Sequence, residues 1–200
     1  MERYKTISLI DADFRRRAEH TKALAGSRFH VEPYESVAEF RTQGSAETLI
    51  LIHDEDTAIA DLLRDMRDRD YWAPALGYGR MLDPIRCSQV ILQGLIGYLP
   101  TPFDRYDIDA LLEGSAEQLT ALIDLRYGAA DARQKLKTLT KREAQVLERL
   151  QSGLTNREIA DTLDISPRTV EIHRANMLRK MDTKSALSAI RMSVHAKISS

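Results

Sequence analysis

The chain has 200 residues, 43% of them hydrophobic and 30% charged, an ordinary globular composition that allows one large domain or two small ones. No apolar run approaches the roughly 18 residues of a membrane span, and the single cysteine, Cys87, excludes an intramolecular disulfide framework and a cysteine-rich zinc site. The net charge of -1 is unevenly spread: residues 135–200 carry 13 Lys and Arg against 7 Asp and Glu, and residues 1–134 carry 16 against 23. A positive segment attracts a polyanion, although solvated helix faces produce the same count. Met1-Glu2-Arg3-Tyr4-Lys5 leads into a short apolar run without the long core and cleavage site of a signal peptide, so a cytoplasmic location is expected.

The N-terminal half alternates strand-like and helix-like stretches. Thr6–Ile10 reads as a strand ending in Asp11-Ala12-Asp13, followed by a helix over 14–25 and a break at Gly26-Ser27. Phe29–Tyr34 is a second strand, and Ser36 to Glu39 has the spacing of a capping box opening a short helix. Thr48–Ile52 is continuously apolar, as a strand covered on both faces should be. A helix over 57–68, a strand over 74–78 and a helix opened by Asp83-Pro84 and ended by Gly94 follow. A strand over 95–99 and a helix to Leu112 complete five β-α units, which imply a doubly wound parallel sheet. Glu117–Lys137 has helical character, interrupted at Gly128, and serves as a connection.

The C-terminal segment carries sharper punctuation. Thr140-Lys141-Arg142-Glu143 and Thr155-Asn156-Arg157-Glu158 are both capping boxes ahead of apolar helical spacings. Ser166-Pro167 supplies an N-cap and a first-turn proline just after Asp164-Ile165, so two short helices meet in a tight turn, a helix-turn-helix. A fourth helix is expected over about 184–194. With Val170 placed inward, Met177 and Met181 share its side at 100° per residue, flanked by His173 and Leu178, while Arg168, Ile172, Ala175 and Arg179 face away.

Leu139 to Glu143, Gly153 to Ala160, Leu163 to Val170, His173-Arg174 and Lys180-Met181 together resemble the LuxR-type DNA-binding domain over residues 136–197. The resemblance implies that the helix beginning at Ser166 enters the major groove of double-stranded DNA. On that reading Glu171 accepts from cytosine N4, and Ile172 and Ala175 meet thymine methyls. Thr169, Arg179, Lys180 and Lys184 are placed for phosphates. Asn156 and Arg168 complete the candidate DNA contacts. His173 is expected in the core, and Arg174 on a carboxylate of a neighbouring helix.

Asp11-Ala12-Asp13, the strand end at His53-Asp54, and Leu99 to Asp104 resemble a response-regulator receiver, and the whole chain resembles the NarL/FixJ group. The expected architecture is a (βα)5 receiver-like domain over 1–115, a helical linker over 116–135 and an all-α four-helix domain over 136–200. A working receiver holds Mg²⁺ between two adjacent acids and a phosphoacceptor Asp, with a hydroxyl and a Lys on the phosphoryl group. Here Ala12 breaks the acidic pair, Asp13 lies one residue late, Gly79 stands at the hydroxyl position and Thr101 at the Lys position. The phosphoacceptor position falls on His53, with Asp54 next to it. A degenerate, phosphorylation-independent receiver is therefore expected, with no resident cofactor.

The alternative keeps Asp54 as acceptor with Mg²⁺ on Asp11 and Asp13. The cluster from His53 to Asp56 reads as a solvated loop rather than a metal site. By the same resemblance, Thr101-Pro102 is expected to be cis, and the face of the fourth helix, fifth strand and fifth helix is expected to form a homodimer. Leu119, Leu122 and Ile123 either extend that face or pack in the core. The rival reading is an adaptor that sequesters a signalling protein. No activated nucleophile, Gly-rich phosphate loop or metal spacing points to an enzyme.

Overall fold

The computed structural model describes residues 4–45, 47–80, 83–114 and 116–198. Residues 1–3 and Ser115, the expected end of the first domain, lie outside them. The chain divides into two compact units, residues 1–124 and 125–200.

The first unit alternates strictly: β1 (Thr6–Ile10), α1 (Phe14–Ala23), β2 (His30–Tyr34), α2 (Val37–Gln43), β3 (Leu49–His53), α3 (Ala58–Asp68), β4 (Ala75–Gly79), α4 (Pro84–Gln93), β5 (Gly97–Pro100) and α5 (Arg105–Gly114). The strands form one parallel sheet in the order β2-β1-β3-β4-β5, the doubly wound arrangement expected. Ile7, Leu9, Ile50, Leu51, Ile52 and Leu76 are fully buried. Both parities along β3 are buried because helices cover both faces of the sheet. Each such side chain contributes roughly 1.5–3 kcal/mol of burial free energy.

Several local features depart from expectation. Strand β5 begins at Gly97 rather than Leu95, because the Leu95 amide donates to Val90 O and wraps the end of α4 around Gly94 at φ +134°. The Ser36 hydroxyl accepts from the Glu39 amide, but the Glu39 carboxylate accepts from the Glu35 amide at 2.6 Å, so the box is only half closed. The helix α6 (Ala116–Lys137) runs through Gly128 without interruption. A mid-helix glycine costs about 1 kcal/mol relative to alanine. His195 lies 4.0 Å from where a Gly128 side chain would begin, and the neighbouring Ala129, Ala130 and Ala132 are buried. The division between the two units falls inside this helix. Leu119 and Ile123 are core residues, with Ile123 lining the same apolar gap as Leu49 and Leu112.

The second unit contains α7 (Lys141–Gln151), α8 (Asn156–Leu163), α9 (Pro167–Lys180) and α10 (Ala186–Ile198), the last displaced by a few residues from its expected span. Both threonine capping boxes close reciprocally. Asp164 takes a left-handed conformation at φ 54°, which turns the chain from α8 into α9. Val146, Ile159, Ala160, Leu163 and Val170 form one apolar cluster, and Leu147, Met177, Met181 and Ala189 form another. Helix α9 is therefore gripped along its whole length from one side. Among the described residues no helix is long and apolar enough to cross a membrane.

Candidate functional site

The groove-reading candidates lie on the free side of α9. Arg168, Glu171, Ile172, Ala175 and Arg179 are exposed, opposite buried Val170 and Met177. Ile172 is 54% exposed. Ser166 caps the helix by accepting from the Thr169 amide, and the Ser166 and Thr169 hydroxyls lie 2.7 Å apart. The Arg179 guanidinium donates to Asn176 Oδ1 at 3.0 Å, and Lys184 is exposed past the end of the helix.

Two candidates have internal partners that the residue pattern did not reveal. Asn156, at the start of α8, accepts from Arg174 through its side-chain oxygen. Arg174 thus meets an amide oxygen rather than the expected carboxylate, and it ties α9 to the start of α8. The Lys180 ammonium donates to Glu143 Oε2 at 2.7 Å and to Thr138 O at 3.1 Å. That commits the charge expected on a phosphate to holding α9 against the start of α7. Burial would raise the Glu143 carboxyl, but hydrogen bonds from Lys180 and Thr140 outweigh it and hold the group below its ordinary value. His173 is half-buried.

In the first unit, the ends of β1, β3, β4 and β5 carry a second site, at the point where the strand order reverses and α/β sheets bind ligands. Asp11 is its centre, with a fully buried carboxylate. Oδ1 accepts from the Asp13 amide at 2.9 Å and from Arg16 Nη2 at 2.7 Å. Oδ2 accepts from Arg16 Nε at 2.7 Å and from the Tyr78 hydroxyl at 2.6 Å. Arg16 Nη2 also reaches His53 Nδ1 at 3.0 Å and Glu55 Oε2 at 2.8 Å. Burial works to raise the Asp11 carboxyl, yet the hydrogen bonds from Arg16, Tyr78 and the Asp13 amide, with the guanidinium charge, bring it below its ordinary value. Burial, with the hydrogen bond to Asp11, pushes the Tyr78 phenol far up, so it stays a donor. The Tyr78 ring packs against His20, His53 and Phe103, and burial pushes the His20 imidazole below its ordinary value, favouring the neutral form.

Asp54 turns elsewhere. Arg86 of α4 grips its carboxylate with Nη2 at 2.6 Å from Oδ1 and Nε at 3.0 Å from Oδ2, and the Tyr98 hydroxyl donates to Oδ2 at 3.3 Å. Burial and the Asp54 charge push the Tyr98 phenol up to about 12. A side chain at Gly79 would begin 2.4 Å from the Tyr98 hydroxyl, so the oxygen of β5 fills the space that a β4 hydroxyl would need. Asp13 is the N-cap of α1, where its carboxylate accepts from the Arg16 amide. Thr101 brings no cation, and its bond to Pro102 is cis as expected.

The metal set Asp11, Asp13 and Asp54 is therefore not assembled. The residues brought together are Asp11, His53 and Glu55, which could share one ion. Arg16 already sits among them, and the Asp11 carboxylate accepts four hydrogen bonds, which fills its lone pairs. Nor does a ligand set containing imidazole suit Mg²⁺, which prefers oxygen donors. The site does not fit the ion that a phosphorylatable receiver uses. Arg16, Tyr78, Arg86 and Tyr98 all escaped the sequence reading. Tyr78, Arg86 and Tyr98 have partners that lie far away along the chain, and Arg16, although five residues from Asp11, is one of three consecutive arginines that the residue pattern does not tell apart. The cluster His53 to Asp56, expected to be a solvated loop, contributes His53, Asp54 and Glu55 to these two networks. Beside them a cleft of about 660 Å³ runs past Asp11, Arg16 and His53 to the acids of α3.

The family described as bacterial regulatory proteins, luxR family, matches residues 137–193. The chain is 37% identical over 142 residues to the transcriptional regulatory protein FixJ of Rhizobium meliloti (strain 1021), covering 70% of this chain and 68% of that protein. It is 35% identical over 139 residues to FixJ of Bradyrhizobium diazoefficiens, covering 68% and 66% respectively. Its fold is similar to that of full-length FixJ from B. japonicum, with a TM-score of 0.50 and 26% identity over 97% of this chain and 98% of that one.

Proposed function

The chain belongs to the LuxR/FixJ type of DNA-binding response regulator, and from that premise we propose that it reads a specific DNA sequence through α9, as a homodimer, without needing phosphorylation. The observation that carries DNA recognition is the exposed row Arg168, Glu171, Ile172 and Ala175 on a helix whose opposite side is locked into the core. Such a helix presents base-reading side chains from its N-terminal half to the major groove. Glu171 suits a cytosine amine, while Ile172 and Ala175 suit thymine methyls. Thr169, Arg179 and Lys184 serve the backbone. Selection of binding sites from a random pool tests this. Glu171→Ala and Ile172→Ala should each relax preference at separate base positions by about 1–3 kcal/mol. Unchanged preference in both variants removes the assignment.

The dimer reading rests on exposed apolar residues of α4 and α5. Leu92 is 85% exposed, Ile85 69% and Tyr106 65%. Pairing through α4, β5 and α5 would cover them and present two copies of α9 to half-sites about 34–36 Å apart. Sedimentation of the wild type and of Leu92→Glu, with and without DNA, tests it; a wild type that stays monomeric in both conditions defeats the reading.

Phosphorylation independence is supported by the double grip of Arg86 on Asp54, by Thr101 in the lysine position and by the blocked hydroxyl position at Gly79. A phosphoryl group on Asp54 would have to displace a bidentate guanidinium without a lysine to compensate its charge. Incubation with acetyl phosphate and Mg²⁺ should leave the intact mass unchanged, and an added phosphoryl group on Asp54 reverses the reading.

A further inference from the structure

We infer that Arg16 is the resident cation of the acid site: a guanidinium built into α1 that takes the place of a divalent ion and leaves the wild-type site blind to Mg²⁺. This rests on the reading of the receiver as phosphorylation-independent, and it adds a role for one residue and a metal response for its variants.

The buried Asp11 carboxylate needs a positive partner, since an isolated buried charge is too costly to keep. Arg16 meets that need from five residues away, at the first turn of α1, with both donors of its fork on the two carboxylate oxygens. The same Nη2 that meets Asp11 Oδ1 has one further hydrogen, which faces His53 Nδ1 at 3.0 Å and Glu55 Oε2 at 2.8 Å. One cationic group thus joins the three side chains whose ligand atoms all lie within 4.8 Å of one another. A surface ion pair would hold one carboxylate; this guanidinium organises a ligand set. Nδ1 of His53 is 3.1 Å from Glu55 Oε2 as well, so it either accepts from Arg16 or donates to Glu55. With Arg16 in place, no lone pair on Asp11 remains for an ion.

Removing the guanidinium leaves two carboxylates and an imidazole around the vacated position. Such a nitrogen-containing set selects first-row transition ions over Mg²⁺, in the order Zn²⁺ above Mn²⁺ above Mg²⁺. The inference therefore predicts a switch in metal response from a single substitution.

The test is thermal unfolding of the full chain with MgCl₂, MnCl₂ or ZnCl₂. The wild-type Tm should not move with any of them. Arg16→Ala and Arg16→Gln should unfold at lower temperature, and Zn²⁺ or Mn²⁺, but not Mg²⁺, should restore at least half of the loss. Adding Asp11→Asn to either variant should abolish the restoration. Arg16→Lys, which keeps the charge, should show no metal response. A wild-type Tm that rises with Mg²⁺ overturns the inference, and so does an Arg16→Gln protein that responds to none of the ions. The wild-type measurement and Arg16→Gln decide the matter even if Arg16→Ala does not fold. Failure here is distinct from failure of the underlying reading. A wild type blind to metal but phosphorylated on Asp54 refutes phosphorylation independence alone, and one that binds Mg²⁺ but takes no phosphoryl group refutes the role of Arg16 alone.

Discussion

The two units solve the same problem, how to hold a helix against its neighbours, with partners at very different sequence distances. In the second unit the helix caps are short-range, while α9 is tethered by Arg174 to Asn156 across 18 residues and by Lys180 to Glu143 across 37. Thr140 with Glu143, Thr155 with Glu158 and Ser166 with Thr169 each span three residues. In the first unit the site is tied by Tyr78 to Asp11 across 67 residues, Arg16 to His53 across 37, and Arg86 to Asp54 across 32. The helix starts of the DNA-binding unit are therefore specified locally, whereas the tethers of α9 and the receiver site depend on partners that the fold brings together. That difference also separates their tolerance: a lost cap frays one helix end, whereas a lost Asp11 carboxylate takes two hydrogen bonds from Arg16 and the bond from the buried Tyr78 hydroxyl.

The sharpest way to break this comparison is Asp11→Ala. It removes both oxygens from Arg16 and strands the Tyr78 hydroxyl in the core. Breaking a buried pair costs about 3–5 kcal/mol, and Arg16 then retains only His53 and Glu55, the latter half exposed, as side-chain partners. Urea unfolding of the full chain should show the first unit melting earlier while the second unit stays put. The pH dependence has a definite sign. Asp11's carboxyl is lowered below 3.8 in the folded chain, so its contribution is fully present above 3.8 and is lost as pH falls through the lower folded value. The stability difference between wild type and Asp11→Asn should thus shrink only below pH 3.8. A difference that is constant down to the acid limit would mean that Asp11 is not the ionised centre of the site.

The next effect concerns the blocked position at β4. Gly79→Thr should cost about 1–3 kcal/mol as an overpacked substitution, because its side chain would start 2.4 Å from the Tyr98 hydroxyl. Paired with Tyr98→Ala, the same threonine should be tolerated better than the sum of the single changes predicts. Simple additivity in that double-mutant cycle would show that Tyr98 does not set the identity of residue 79.

The fold was largely legible in the sequence, and the reasons are local. The run from Leu49 to Ile52 has the pattern of a strand covered on both faces, and Ser166-Pro167 that of a helix start; both form as read. The apolar face of α9 followed from placing Val170 inward, which put Met177 and Met181 on the same side; Val170 is buried in one apolar cluster and the two methionines in the other. Gly94 was legible as a stop, but the wrapped end that delays β5 to Gly97 was not, since it depends on where the Leu95 amide finds a carbonyl. The losses in the receiver, Ala12, Gly79 and Thr101, could be read as missing chemistry. What replaced that chemistry could not. Nothing in the residue pattern distinguishes Arg16 from Arg15 or Arg17 until the helix is set against Asp11, and nothing marks Arg86 until α4 is set against the end of β3.

Glu143 tests whether the second unit really depends on local contacts. It closes a capping box with Thr140 and accepts from Lys180, so one residue combines a short-range and a long-range bond. Glu143→Ala should cost about 1–2 kcal/mol, within the usual range for a lost cap. Glu143→Gln keeps the box but loses the charge, and should recover most of that stability if the local bond dominates. Recovery of less than half would move the weight to Lys180 and make the second unit less local than its sequence suggests.

The smallest effect separates two lysines that the sequence treats alike. Lys180 and Lys184 both follow the exposed face of α9, and both read as phosphate contacts. Lys184 is exposed, while the Lys180 ammonium is held by Glu143 and Thr138. Binding to DNA releases counterions, and each phosphate contact contributes roughly 0.9 to the slope of log affinity against log salt. Lys184→Ala should lower that slope by about 1 and weaken binding uniformly across sequences, with Tm unchanged. Lys180→Ala should leave the slope as it is and lower Tm, because it removes an internal tether between α9 and α7. Equal slope changes in the two variants would mean that Lys180 exchanges Glu143 for phosphate on binding. In that case the tether is a switch that DNA itself releases, and the local and long-range contacts of the second unit compete rather than cooperate.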